Sequence, residues 1–238
     1  MEIKYSKKKQ ELRKDPILEF IMQAKEVVFA QSNTIMIIAI GIALALGGGM
    51  IFNSIKKSSL QKSQEAFGKA LLTYESNAGS PADVGDNLSK TVDAFKSVVD
   101  NYKGSPQATY SAYFLGHLFL RQQRYDEAIT WFNAALTKNS GTGFVGGSAL
   151  EGLANCYEAK GNIEEALNYL KKALLDDRIK YRSAALEWRS ALLCKDLKKI
   201  EEARLSCQKI LADTVAAAAP YKQKAENLIV ELSIQEKS

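Results

Sequence analysis

The sequence predicts an all-α protein. A single N-terminal transmembrane helix leads into an α-solenoid of helix hairpins, closed by a C-terminal capping helix. Three observations carry this reading. The chain has 238 residues and only four prolines, so long stretches are free to keep helical hydrogen bonding. Residues 27–55 contain no charged side chain. Downstream, one tripeptide form, acid-acid-Ala, returns at the spacing of a helix pair.

Residues 1–33 form a charged tail. Lys4, Lys7, Lys8, Lys9, Arg13, Lys14 and Lys25 stand against Glu2, Glu11, Asp15, Glu19 and Glu26. Asp15-Pro16 reads as a helix start, an Asp cap followed by Pro at the first position. Ile17, Ile21, Ala24 and Val28 then share one face, with Phe20 and Val27 beside it. The stretch is either an amphipathic helix, lying on a membrane surface or docked on a partner, or a helical extension of the anchor.

Residues 34–55 are the expected anchor, and Thr34 to Phe52 is almost wholly apolar. About 20 helical residues at roughly 1.5 Å each span the hydrocarbon core. Ala43-Leu44-Ala45 also fits a signal-peptide cleavage site, but the tail before it is long and acid-bearing and the apolar run continues past it. Lys7 to Lys9, Arg13 and Lys14 hold the tail in the cytoplasm, while Lys56 and Lys57 argue the other way. The basic excess lies on the tail, which places the bulk of the chain outside the cytoplasm. Gly41, Ala45 and Gly49 recur at four-residue spacing, which either permits close helix packing in lipid or reflects how common small residues are there.

Residues 56–106 form the N-terminal helical part of the solenoid. Leu60 to Tyr74 reads as a helix with Ala66, Phe67, Ala70 and Leu71 inward. A loop with Gly79, Pro81 and Gly85 follows, then a helix over Thr91 to Tyr102 with Phe95 at its large position. Residues 107–215 hold three repeats. Asp126-Glu127-Ala128, Glu164-Glu165-Ala166 and Glu201-Glu202-Ala203 lie 38 and 37 residues apart. The first repeat reads Leu115-Gly116-x-x-Phe119, then Ala128, Phe132 and Ala135 at four- and three-residue steps. The second reads Leu153-Ala154-x-x-Tyr157, Gly161 at the turn, then Ala166, Leu170 and Ala173. The third is weaker, with Ala191, Cys194, Ala203, Cys207 and Ile210. Residues 216–238 supply the cap, with Ala225, Leu228, Ile229 and Leu232 on one stripe. No sustained period-two alternation competes.

With small residues at helix crossings and large ones beside them, this stretch resembles the tetratricopeptide-repeat (TPR) family. The match is specific over about residues 107–176, and the third repeat departs at Glu187, Ser190 and Ile210. The resemblance implies an interaction protein without catalysis. In that family the first helix of each repeat lines a binding groove. This assigns Tyr110, Tyr113 and His117, then Glu151, Asn155 and Glu158, then Trp188, Leu192 and Lys195, each set on one helix face. Packing of the aromatics on neighbouring helices is the competing expectation. The family's carboxylate clamp is echoed only by Asn155.

Other function classes find little support. The net charge is +5, and beyond the tail 25 basic residues mix with 22 acidic ones, so no nucleic-acid footprint is expected. Cys156, Cys194, Cys207 and the lone His117 form no metal-binding spacing. Buried thiols are the expected state, with a Cys194–Cys207 bridge as the alternative. Asn139 to Gly147 is glycine-rich but lacks the following Lys-Ser/Thr, so a flexible loop is expected. The acid pairs sit near helix starts and favour the helix dipole. No cofactor and no small-molecule substrate is expected.

The full layout of charged tail, anchor and C-terminal TPR domain resembles the YfgM-type family. That resemblance implies a bacterial inner-membrane protein with its TPR domain in the periplasm. It also implies partners among the SecYEG-type translocon and periplasmic chaperones. A scaffold of a cell-envelope complex is the alternative.

Overall fold

The computed structural model describes residues 17, 19–22, 25, 32–77, 86–136 and 145–235, excluding the side chains at 32, 33, 35, 38, 39, 77, 86, 87 and 235. The chain divides into two units, Met1–Ser58 and Ser59–Ser238.

In the first unit, residues 17, 19–22 and 25 are helical, and Ile17, Phe20, Ile21 and Met22 stand exposed. Asp15-Pro16, Ala24, Val27 and Val28 lie outside the described residues. Helix α1, Ser32–Asn77, begins in this unit and continues into the second. Among the described residues, no helix is long and apolar enough to cross a membrane. The span expected at 34–55 rests partly on positions 35, 38 and 39, whose side chains lie outside the described set.

The second unit is all helix among its described residues. It holds the end of α1, then α2 (Asp86–Asn101), α3 (Pro106–Arg121), α4 (Tyr125–Ala135), α5 (Val145–Ala159) and α6 (Ile163–Leu174). A 3-10 segment, Asp177–Arg182, leads into α7 (Ser183–Asp196), which is followed by α8 (Ile200–Ala212). A second 3-10 turn, Ala216–Ala218, precedes α9 (Ala219–Gln235). The loop expected around residues 79–85 lies outside the described residues.

Three hairpins, α3–α4, α5–α6 and α7–α8, close through one and the same turn. Gln123, Gly161 and Lys198 each take the left-handed conformation, with φ of 58°, 77° and 58°. The amide after each of them donates back to the first helix: Arg124 to the Phe119 carbonyl at 2.9 Å, Asn162 to Tyr157 at 2.8 Å, Lys199 to Cys194 at 2.8 Å. Each second helix then opens with Ala128, Ala166 or Ala203 donating to the residue after the left-handed one, at 3.0, 3.1 and 3.0 Å. The acid pairs fall in the first turn of α4, α6 and α8, beside the positive end of the helix dipole.

Small residues decide how close the helices come. Phe132 is fully buried between two glycines on successive first helices. A Cβ on Gly116 would stand 2.6 Å from its ring, and one on Gly152 would meet the same ring. One core runs through α1–α5, with Phe95, Leu115, Phe119 and Phe132 at its centre. A second runs through α5–α9, and Tyr157 stacks on Tyr169 at 5.3 Å where the two meet. Ala225, Leu228 and Leu232 of α9 are buried on the last hairpin and cover its apolar side.

The structure refines two sequence expectations and meets a third, the buried thiols. The loop assigned to Asn139–Gly147 is too long. Val145, Gly146 and Gly147 form the buried first turn of α5, because Gly147 leaves room for Ile179, whose Cδ1 would lie 2.6 Å from a Cβ there. Residues 137–144 lie outside the described set. The third hairpin packs as fully as the others: Ile210 is completely buried, and buried Glu187 is paired with Lys209 at 2.9 Å. All three cysteines are free, buried thiols.

Candidate protein-binding face

The nine residues expected to line a groove lie on the first helices α3, α5 and α7, and all nine are half-buried. The structure treats the three sets differently.

On α3 the aromatics pack against their neighbours. Tyr110 lies 5.9 Å from Phe67 of α1, ring centre to ring centre. Tyr113 meets His117 edge-on at 4.5 Å, and His117 meets Phe132 edge-on at 5.1 Å. Edge-to-face geometry sets the positive ring edge against the negative face of its neighbour. The His117 Nε2 is buried without a hydrogen-bond partner. Burial, and secondarily the Arg182 charge, push the His117 imidazole down to about 4. Burial likewise raises the Tyr113 phenol, against a hydrogen bond with Ser148.

On α5 the polar set is tied to the next repeat. Arg182 grips Glu151 with two nitrogens, at 2.7 and 2.8 Å. Arg189 donates to Glu158 through Nε at 2.8 Å and to Asn155 through Nη1. A planar guanidinium fits such paired acceptors better than an ammonium does. Arg182 and Arg189 thus join the candidate face, and the sequence reading missed them. A signal for them existed: Glu151–Arg182, Glu158–Arg189 and Lys171–Glu202 are all opposite charges 31 residues apart.

On α7, Trp188 and Leu192 pack along the edge of the second core while keeping exposed area. Lys195 pairs with Glu231 of α9 at 2.7 Å. The second helices add rungs of their own: Lys160 to Asp126 at 2.5 Å, Lys171 to Glu202 at 2.6 Å and Lys199 to Glu164 at 3.3 Å. Each rung joins one hairpin to the next. No cluster of His, Cys, Asp and Glu suited to a metal ion occurs among the described residues. The face offers shape, aromatic edges and ordered charge.

Stacked hairpins with one repeated turn, one repeated small-large packing code and inter-repeat ion pairs define a helical-repeat protein. The tetratricopeptide-repeat family model matches residues 107–174, the stretch that holds the first two of these hairpins. TPR repeats form a protein-interaction module. The chain is also similar to two crystal structures of nearly identical TPR-like repeats assigned to a Podosopora anserina kinesin light chain, one of them a single-substitution variant. Identities are 16% and 17%, with 74% of this chain and 97% and 96% of those chains covered, and a TM-score of 0.49 in both. No curated protein matches the chain.

Proposed function

We propose that this protein is a membrane-anchored TPR module that binds translocated polypeptides or their chaperones at the outer surface of a bacterial inner membrane. The repeats matched at 107–174 carry the reading, since such hairpins present one continuous face to a peptide. The uncharged run at 27–55, behind a lysine-rich tail, supports a single anchor with the tail inside. Trp188, with Leu192 one turn on, offers an aromatic anchor of the kind that dominates peptide contacts. The groove set Tyr110, Tyr113, His117, Glu151, Asn155, Glu158, Trp188, Leu192 and Lys195 is retained as the binding face, with Trp188 and Leu192 as its free anchors.

A photo-crosslinking residue at Trp188 or Leu192, irradiated in intact membranes, tests this. Recovery of translocon or chaperone peptides is the expected outcome. Recovery of cytoplasmic proteins alone would reverse the topology.

The ladder of Arg182 and Arg189 across α5 favours a second reading, a scaffold that holds folded partners of an envelope complex. Charges already locked in register make a stiff surface, less suited to varied unfolded chains. Suppression of aggregation of an unfolded model protein separates the two: a chaperone-network factor suppresses it, whereas a scaffold leaves it unchanged.

A further inference from the structure

Successive hairpins lie 38 and 37 residues apart, whereas the tetratricopeptide pattern repeats at about 34. Between the second and third hairpins the surplus falls in the link 175–182, most of which is the 3-10 segment Asp177–Arg182. Connecting segments are ordinarily the mobile parts of a surface. This one is fastened at three points. At its start the Asp176 carboxylate accepts from the Arg178 amide at 3.1 Å and from its guanidinium at 2.7 and 2.8 Å. In its middle Ile179 is 1% exposed and fills the space that Gly147 leaves. At its end Arg182 grips Glu151 of α5.

Between the last two fastenings stands Tyr181, 57% exposed. Lys180 beside it lines a hollow with Glu187 and Lys209, towards α8. Tyr181 belongs to the other side. Arg182, next in the chain, holds Glu151, and Glu151 lies one helical turn from Ser148, which hydrogen-bonds with Tyr113. Burial is the main cause that raises the Tyr113 phenol, and Glu151, Arg182 and Tyr181 all act on it as well, so these groups are neighbours. Tyr113 in turn meets His117 edge-on at 4.5 Å, and His117 meets Phe132 at 5.1 Å. Tyr181 is the exposed end of an aromatic row that runs inward through Tyr113 and His117 to Phe132.

The charges beside this row are already spent. Arg182 Nη1 takes Glu151 Oε2 at 2.7 Å, and Arg182 Nη2 takes Glu151 Oε1 at 2.8 Å, so each carboxylate oxygen has its cation. The His117 Nε2 is buried. A charged side chain brought here would give up its water and find only groups bound to one another. An uncharged ring or aliphatic chain meets no such cost and covers ring edges.

We infer that Tyr181 is a specificity-determining residue of the binding face: with Tyr113 it forms a subsite for an uncharged apolar or aromatic side chain of the bound segment. The inference rests on the reading of that face as a polypeptide-binding surface. Tyrosine is among the residues that dominate such contacts. The three fastenings hold the Tyr181 backbone in place before anything binds, so little is lost in ordering it.

Fluorescence anisotropy tests this on the full chain in detergent micelles. The probes are three labelled peptides of one otherwise uncharged sequence, with Phe, Asp or Lys at the central position. The native chain is expected to bind the Phe peptide about tenfold or more tightly than the other two. Tyr181→Ala is expected to abolish that preference and Tyr181→Phe to keep it, both with unchanged helical circular dichroism because the side chain is exposed. Trp188→Ala is expected to weaken all three peptides alike and leave the preference intact. No binding of the Phe peptide to the native chain, tighter binding of the Asp or Lys peptide, or a full preference in Tyr181→Ala would each overturn the inference. The crosslink from Trp188 in intact membranes reports on the wider reading by itself. A Trp188 product together with any of those outcomes rejects the subsite alone, and the absence of both a product and peptide binding rejects the face with it.

Discussion

At the residue scale, three left-handed turn positions carry a clean comparison. Gly161 sits at φ 77° with nothing within 4 Å of a Cβ built on it. Its replacement by Ala therefore costs only the backbone term, about 1 kcal/mol. Lys198 holds the same conformation with a side chain, so Lys198→Gly removes that strain. Gly also adds freedom to the unfolded chain, so the net gain is below about 1 kcal/mol. Urea unfolding midpoints measure both, and they are expected to shift in opposite directions. His117 supplies a pH test. Its imidazole is depressed from 6.5 to about 4 in the folded chain, so protonation favours unfolding. The stabilisation from a neutral His117 is complete above pH 6.5 and is lost as pH falls towards 4, up to about 3 kcal/mol. Subtracting the melting profile of His117→Phe isolates this contribution from the carboxylates. The native chain is expected to lose stability relative to the variant as pH drops through that window, whichever of the two is more stable at neutral pH.

At the element scale, Phe132 governs the spacing of successive first helices. Because Gly116 and Gly152 both face its ring, Gly152→Ala forces ring and helix apart, at about 1–3 kcal/mol. Phe132→Leu in the same chain makes room, so the double variant is expected to be more stable than the sum of the two losses predicts; a double-mutant cycle by thermal melting reads this. The ion-pair rungs play a different part. Arg189 and Glu158 keep 26% and 37% of their side-chain surface in water. Solvent screening then leaves such a pair worth no more than about 1 kcal/mol, so Arg189→Ala changes stability little. What the rungs supply is register, since each Arg reaches across one repeat to a single acceptor set.

At the scale of the whole molecule, a solenoid is held by nearest-neighbour contacts, so its ends are its weak points. Helix α9 covers α7 and α8 with Ala225, Leu228 and Leu232. Removing residues 219–238 uncovers that apolar surface. Hydrogen exchange is expected to accelerate in α7 and α8 first, with α3 and α4 protected until the full transition. Exchange rising equally in all hairpins would mean that the stack behaves as a single unit.

Much of this was legible in the linear order of residues. Helical class, the hairpin period and the inward set of Ala128, Phe132, Ala166, Leu170, Ala203 and Cys207 follow from local periodicity, and every one of those side chains is buried. The shared turn was half visible, at Gly161 only; Gln123 and Lys198 give no sign in their chemistry that they adopt a left-handed backbone. Two things were decided by tertiary contact alone. Gly152 opposes a ring 20 positions earlier. Glu151, Asn155 and Glu158 are claimed by arginines from the next repeat. Periodicity reports which way a side chain faces along its own helix, but which partner waits there depends on how separate helices stack in space.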